Sequence, residues 1–320
     1  MKICVLGAGA LGCSIGGVLT EAGEEVWLVN RSAAHVEAMN RDGLRMLDNG
    51  VERRVAVHAA THCDGLATVD LVIVLVKSFD TRAAIEAARP VIGANTLVLS
   101  LQNGLGHEDI LADVIGRRAV LAGKTYVGGV ITAPGCVTIG TRGKQTLIGE
   151  LDGSVTGRVQ AIAHAFDRAG LATVVSTNIV GTMWDKLLIN VATGALAAIT
   201  GLTYGGLYDV PEIEQLALEA VAEAMAVAHA AGVTLSMTDP RQAWDLAREG
   251  LPAEFKTSML QSLEKGGKTE IDFINGSVVR WGARCGVPTP VNRSLIACVK
   301  GIERRLIQRP DFPLSKEYRS

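Results

Sequence analysis

The opening stretch "KICVLGAGALGCSIGGVL" constrains this chain more than any other segment. An apolar, β-rich run over Lys2–Leu6 meets Gly7, Gly9 and Gly12 at G-x-G-x-x-G spacing, and a helical pattern follows at once. In a strand–turn–helix unit the first glycine permits the tight turn and the second lets backbone approach a pyrophosphate. The third lets helix and strand pack closely. The N–H groups and dipole of the helix start then favour negative charge. Gly7, Ala8, Gly9, Ala10, Leu11 and Gly12 are therefore the expected dinucleotide-binding loop. A turn with ordinary packing glycines is the alternative, but it does not explain why strand, spacing and helix coincide. A lysine ahead of an apolar run superficially resembles a signal peptide, yet five glycines break the run and it continues into an amphipathic helix.

The first half of the chain keeps this rhythm. Strands are expected at Glu25–Val29, Leu71–Val76, Thr96–Leu101 and Ala119–Ala122, and helices at Ala10–Ala22, Ala33–Arg41 and Thr81–Ala88. That alternation predicts an α/β fold, a Rossmann-type doubly wound parallel sheet. Runs such as "LVIVLV" suit strands covered on both faces. Gly-rich short strands from Tyr126 to Glu150 read as an antiparallel edge to that sheet. The helix Gly157–Arg168 and the strand Ala172–Val175 would then close a domain of residues 1–176. Strands vanish after that, and helices are expected at Ile213–Ala231, Pro240–Glu249, Glu254–Glu264, Glu270–Arg284 and Pro290–Leu306. Residues 177–308 thus read as an all-helical domain, with 309–320 as a tail. A chain of 320 residues has room for both.

Composition narrows the partners. The 31 basic and 33 acidic residues nearly balance, without a run of either sign, so a small molecule is expected rather than nucleic acid or a membrane surface. The six cysteines form no C-x-x-C pair, and His62 beside Cys63 has no companion at ligand spacing. They read as reduced core residues of a cytoplasmic protein, with neither disulfides nor metal. The apolar stretch after Lys186 is too short and too interrupted to span a bilayer.

Three strand ends add chemistry. After the second strand, where an NAD enzyme usually carries Asp or Glu for the ribose hydroxyl, this chain has Asn30 and Arg31. A neutral Asn does not repel a 2′-phosphate, and a guanidinium can hold one in a bidentate pair. NADPH is therefore preferred over NADH, the alternative being that Arg31 is a solvated loop cation. Lys77 in "VLVKSFDT" and Asn103 in "LSLQNGLG" each lie just past a strand, where ligands of open α/β sheets gather. Either could instead make a turn. His107 reads as a helix-start residue rather than a catalytic base.

"MWDKLLINVATGALAAIT" sets Lys186 and Asn190 four apart in an apolar helix, so both project from one face. A lysine in a partly desolvated cleft has its pKa lowered, which suits polarising and then protonating a ketone oxygen. The alternative is a lysine that snorkels its head into water. "KTSMLQSLEKGGKTEIDFINGSVV" holds Ser258, Glu270 and Asn275. A serine there can hold a substrate carboxylate, and a glutamate can pair with Lys186 or bind a ribose. Taken separately, Ser258 could be a surface helix residue and Glu270 a charge at a helix start.

Together "KICVLGAGALG", "LVIVLVKSFDT", "LSLQNGLG", "MWDKLLIN", "SML" and "TEIDFING" resemble the ketopantoate reductase (2-dehydropantoate 2-reductase) family over nearly the whole chain. The resemblance implies an N-terminal Rossmann domain and a helical C-terminal domain like that of 6-phosphogluconate dehydrogenase, with the site between them. It implies NADPH-dependent reduction of 2-dehydropantoate to (R)-pantoate in pantothenate and coenzyme A synthesis. Lys186 matches the family's proton donor, and Asn190 and Ser258 match its substrate-binding residues. Asn103 matches the asparagine that serves cofactor and substrate, Glu270 the glutamate beside the cofactor, and Gly129 a backbone cofactor contact. A homodimer is compatible with the family.

Two positions depart from the family pattern. Gly194 stands where the ladder K-x-x-x-N-x-x-x-N usually has its third polar rung, and Tyr204 replaces an asparagine of an "NGEL" segment. Losing amides that bind a hydroxyl weakens discrimination for it. A reductase of another 2-oxo acid or of an imine, and a non-catalytic NADPH sensor, therefore stay open as alternatives.

Overall fold

Apolar alternation and helix punctuation shape the chain in its computed structural model, which describes residues 1–140 and 145–308. The expected tail over 309–320 lies outside the described residues. The chain divides into two units, one of Met1–Gln102 with Gly106–Val180, the other of Asn103–Leu105 with the residues from Gly181 on.

The first unit runs β1 (Lys2–Leu6), α1 (Ala10–Glu21), β2 (Glu25–Val29), α2 (Ala33–Asp42), β3 (Leu44–Asp48), β4 (Val51–Val55), β5 (His58–Ala60) and β6 (Val69–Val74). It continues with α3 (Thr81–Ala87), β7 (Ile92–Ser100), α4 (His107–Ile115), β8 (Val120–Lys124), β9 (Gly129–Ala133), β10 (Cys136–Ile139), β11 (Thr146–Gly149), α5 (Gly157–Arg168) and β12 (Thr173–Val175). Among the described residues eight strands form one sheet in the order β12-β11-β8-β7-β6-β1-β2-β5. All neighbours are parallel except β11 against β8. Both faces are covered, so successive residues of β1 enter different cores. Ile3 and Val5 pack with Leu19 of α1, Met39 of α2 and Phe166 of α5. Cys4 and Leu6 pack with Ile85 of α3 and Leu111 of α4. The doubly wound expectation is met.

The expected antiparallel edge needs correction. Among the described residues only the β11–β8 pairing is antiparallel in this sheet, and β12 extends the edge beyond β11, parallel to it. β9 and β10 instead join β3 and β4 in a second sheet, ordered β4-β3-β10-β9. Neither β3 nor β4 is among the strands expected from the sequence. They form a hairpin around Asn49 and Gly50, both at positive φ (48° and 80°), the backbone of a two-residue type I′ turn. Leu44 and Met46 of β3 then enter the core beside α1, and β10 takes the free edge of β3 in parallel.

The second unit is helical: α6 (Ile179–Thr200), α7 (Tyr204–Tyr208), α8 (Pro211–Ala230), α9 (Pro240–Arg248), α10 (Ser258–Glu264), α11 (Asn275–Cys285) and α12 (Pro290–Gln308). Its buried apolar residues include Trp184, Leu188 and Val191 of α6, Ala220 and Val221 of α8 and Val278 of α11. Two expected helices are shorter than read. α10 begins at Ser258 because the Thr257 hydroxyl caps the Leu260 N–H (3.2 Å). α11 begins at Asn275 because the Glu270 carbonyl takes the N–H groups of Phe273 and Ile274 (2.9 and 3.1 Å) in a tight turn. All six cysteines are free thiols, but only Cys4, Cys13 and Cys63 are buried, and Cys298 is exposed, so the core reading fails for it. No described helix is long and apolar enough to cross a membrane.

Candidate active site

The three glycines of the first loop are required for three different reasons. Gly7 sits at φ +96°, and a Cβ there would lie 2.5 Å from the Val76 nitrogen. A Cβ on Gly12 would stand 2.3 Å from the Gly7 carbonyl oxygen, where α1 meets the loop. Gly9, by contrast, has nothing among the described residues within 4 Å of its Cβ position. That open space lies over the start of α1, whose first turn has no side-chain cap and no acidic residue. The N–H groups there remain available to an anion. A diphosphate fits this cradle, and β1 sits between β2 and β6, so chain connections leave it in opposite directions in the sheet. Such a switch point is where doubly wound sheets place ligands.

Neighbouring loops complete the rim. The Gly7 and Ala8 N–H groups donate to the Val29 carbonyl (3.0 and 2.8 Å), and the Asn30 amide donates to the Ala8 carbonyl (2.7 Å). Asn30 thus braces the loop, which its position in the sequence did not reveal. Arg31 projects with its side chain 85% exposed and pairs with Asp80 at 2.8 Å. Asp80 closes the turn that Lys77 opens, donating its N–H to the Lys77 carbonyl (2.8 Å). Arg31 and the Lys77 turn are therefore brought together. The Gln102 amide donates to the Val76 carbonyl and the Thr81 hydroxyl (both 2.9 Å), fixing the turn from below. Gly129 lies against the first turn of α1, where its Cβ would be 2.8 Å from Ser14 Oγ and 3.4 Å from the Ala10 carbonyl. His107 opens α4 fully buried, the helix-start role read for it. Beside it Glu108 is also buried, which pushes its carboxyl up to about 7.

In the helical unit, α6 is buried along most of its length except a stripe of half-buried residues that includes Thr182, Lys186, Ile189 and Asn190. These spacings share one helix face. Lys186 and Asn190 therefore stand one turn apart at the margin of the apolar core. Their neighbour Asp185 turns inward and accepts the Ser236 N–H (3.0 Å), a structural tie that sequence reasoning missed. Gly194 continues the helix two turns beyond Lys186, and among the described residues the atom nearest its Cβ position outside its own stretch of helix is Met259 Cε at 3.5 Å. Met259 follows Ser258, so the exposed first residue of α10 is delivered to the same region of α6. Tyr204 is buried, its hydroxyl 3.3 Å from the Thr193 hydroxyl and its ring packed against Tyr208 and Phe255.

Asn103 groups with this unit through its neighbours. Gly104, at φ +98°, lies so close to the Phe273 carbonyl that a Cβ would be 2.4 Å away. Leu105 donates its N–H to that carbonyl (2.9 Å), and its own carbonyl accepts from Ser277 Oγ (3.0 Å). The "NGL" and "EIDFINGS" segments are thus fastened together, with Glu270 half-buried at the start of the second. Asn275 does not share that exposure. It is buried and donates to Asn292 (2.9 Å), a core role.

This arrangement has relatives. A family model described as ketopantoate reductase PanE/ApbA matches residues 3–153, and its C-terminal counterpart matches residues 178–303. A 2-dehydropantoate 2-reductase of Pyrococcus horikoshii is 36% identical, covering 95% of this chain and 98% of its own length. The crystal structure of a PanE/ApbA family ketopantoate reductase from Ralstonia eutropha JMP134 is 37% identical with a TM-score of 0.87, covering 95% of this chain and 99% of that one. A D-mandelate dehydrogenase solved with NADH and anilino(oxo)acetate is 27% identical with a TM-score of 0.88, covering 96% of this chain and all of that one (100%). Matched by both family models and by a close relative along almost its whole length, the chain belongs to the ketopantoate reductase family.

Proposed function

We propose that this chain is an NADPH-dependent oxidoreductase that reduces 2-dehydropantoate, or a closely related 2-oxo acid, to the 2-hydroxy acid. The observation that carries this reading is the half-buried stripe of α6, where Lys186 and Asn190 stand one turn apart on an otherwise buried helix. A cation at the edge of an apolar core is positioned to act on a carbonyl oxygen that gains charge. NADPH, when bound, supplies the hydride. Lys186 polarises the substrate ketone and gives its proton to the oxygen as the alkoxide develops. Ser258 holds the carboxylate, Asn190 and Asn103 orient the substrate, and Glu270 serves Lys186 or the nicotinamide ribose. Residues Gly7–Gly12 receive the diphosphate, with Gly129 and Lys77 beside it. A cytoplasmic homodimer completes the reading, and sedimentation measures its stoichiometry.

The deciding experiment follows NADPH oxidation with 2-dehydropantoate and a panel of simpler, bulkier and aromatic 2-oxo acids, with and without amines. Turnover of 2-dehydropantoate supports the proposal. Tight NADPH binding without oxidation across the panel would instead indicate a sensor.

Arg31 is assigned to the 2′-phosphate. Its ion pair with Asp80 is exposed and therefore weak, so the guanidinium can exchange partners at little cost. Arg31→Ala is expected to raise KM for NADPH by about tenfold to a hundredfold while leaving KM for NADH nearly unchanged. Equal effects on the two cofactors would remove Arg31 from the phosphate.

A second reading, a bulkier or less polar 2-oxo acid, has its own support in the space beside Gly194 and the aromatic cluster at Tyr204. The similar D-mandelate dehydrogenase, solved with anilino(oxo)acetate, points the same way. Gly194→Asn puts an amide beside Met259 Cε, which stands 3.5 Å from the Cβ position. It is expected to shift the ratio of kcat/KM values about tenfold or more towards 2-dehydropantoate and away from aromatic 2-oxo acids. An unchanged ratio would show that position 194 does not meet the substrate.

A further inference from the structure

Behind the glycine loop lies a buried chain of polar groups that connects it to the second sheet. Pro134 and Gly135 form the β9–β10 turn, with Gly135 at φ +70° and its Cβ position 3.0 Å from Ala38 of α2. The Gly135 N–H donates to His35 Nδ1 (2.9 Å). Because Nδ1 is the acceptor, the neutral ring carries its hydrogen on Nε2. Nε2 lies 3.4 Å from Cys13 Sγ and faces the Ala8 carbonyl. The Cys13 thiol in turn donates to that carbonyl (3.3 Å), which also accepts the Asn30 amide (2.7 Å). Burial holds the His35 imidazole below its usual range and pushes the Cys13 thiol up to about 12, so both stay in these protonation states near neutral pH. Ser32 caps α2 through the His35 N–H, which fixes where the ring starts.

We infer that His35 and Cys13 are positioning residues for the dinucleotide: with Asn30 they keep the Ala8 carbonyl turned into the protein. A peptide unit whose oxygen is held inward cannot rotate that oxygen towards an anion, where it would repel the phosphate. The remaining N–H groups of the loop stay available to it. The second sheet, through the Gly135 N–H, sets which ring nitrogen carries the hydrogen. This inference rests on the reading of the loop as the dinucleotide site.

Two histidine variants separate the halves of the chain. An asparagine places its amide oxygen near the position of Nδ1 and so keeps the Gly135 contact while losing the reach to Cys13 and Ala8. A glutamine places its amide nitrogen near Nε2 and so keeps the donor to the loop. NADPH binding is measured by fluorescence titration alongside steady-state kinetics and thermal melting. Cys13→Ala and His35→Asn are expected to raise Kd and KM for NADPH by about tenfold with kcat within about twofold, whereas His35→Gln restores affinity to within about threefold. If the pair merely supports the hairpin, melting temperature falls while Kd stays constant, His35→Asn is the milder variant, and the inference is overturned. Wild-type protein that binds no NADPH overturns the dinucleotide reading and this inference with it. Wild-type protein that binds while all three variants bind equally well overturns the positioning role alone.

Discussion

Lys186→Ala is expected to lower kcat by about two orders of magnitude or more, as loss of a general acid does, while Kd for NADPH stays within about twofold. Lys186 sits half-buried on α6. Its neighbours Leu187 and Leu188 are fully buried, and Asp185 is already committed to the Ser236 N–H. Removing a half-buried ammonium from this helix relieves desolvation and substitutes the best helix former. The variant is expected to remain folded in a thermal melt while losing turnover, which places the loss in the chemistry rather than in the fold. Partial recovery of kcat with added small primary amines would tie the loss to the missing acid. Near-normal turnover would remove Lys186 from the mechanism.

How much of this was legible beforehand depends on the range of the interactions. The glycine loop and the polar positions of α6 are local patterns, because strand, turn and helix signals adjoin in sequence and the i, i+4 spacing alone fixes a shared face. The hairpin of β3 and β4 was also encoded locally, in "LDNGV", whose Asn-Gly pair suits the positive φ values found there. Its neighbours are polar on one side, and that obscured it. The sheet to which β9 and β10 belong could not be read from their own composition. β10 pairs with β3, some ninety residues earlier, and Gly-rich strands specify register weakly. The same limit hid the joining of Leu105 to Phe273 and of His35 to Gly135, contacts that exist only once the chain has folded. Helix starts were misplaced for a different reason: Thr257 and Glu270 end their helical patterns through hydrogen bonds that apolar periodicity does not register.

Gly12→Ala is expected to weaken NADPH binding by about two orders of magnitude and to lower the melting temperature as well. Its Cβ would sit 2.3 Å from the Gly7 carbonyl oxygen and 3.2 Å from Val5 Cγ1, so backbone must move on at least one side. Reaching ordinary contact requires α1 and the loop to separate by about 1 Å, which tilts the first-turn N–H groups off the diphosphate. Each hydrogen bond to a charged group contributes about 1.5–3 kcal/mol, so losing one or two accounts for the affinity change. Gly9→Ala provides the control, because its Cβ meets nothing among the described residues within 4 Å and the fold can accept it unchanged. That variant should keep its melting temperature yet lose affinity, since the methyl group occupies the space reserved for the ligand. Stability loss confined to Gly12→Ala, with affinity loss in both variants, separates packing from approach. Should Gly9→Ala bind NADPH as tightly as wild type, the space above Gly9 would not be where the diphosphate lies, and the N-terminus of α1 would lose its assignment.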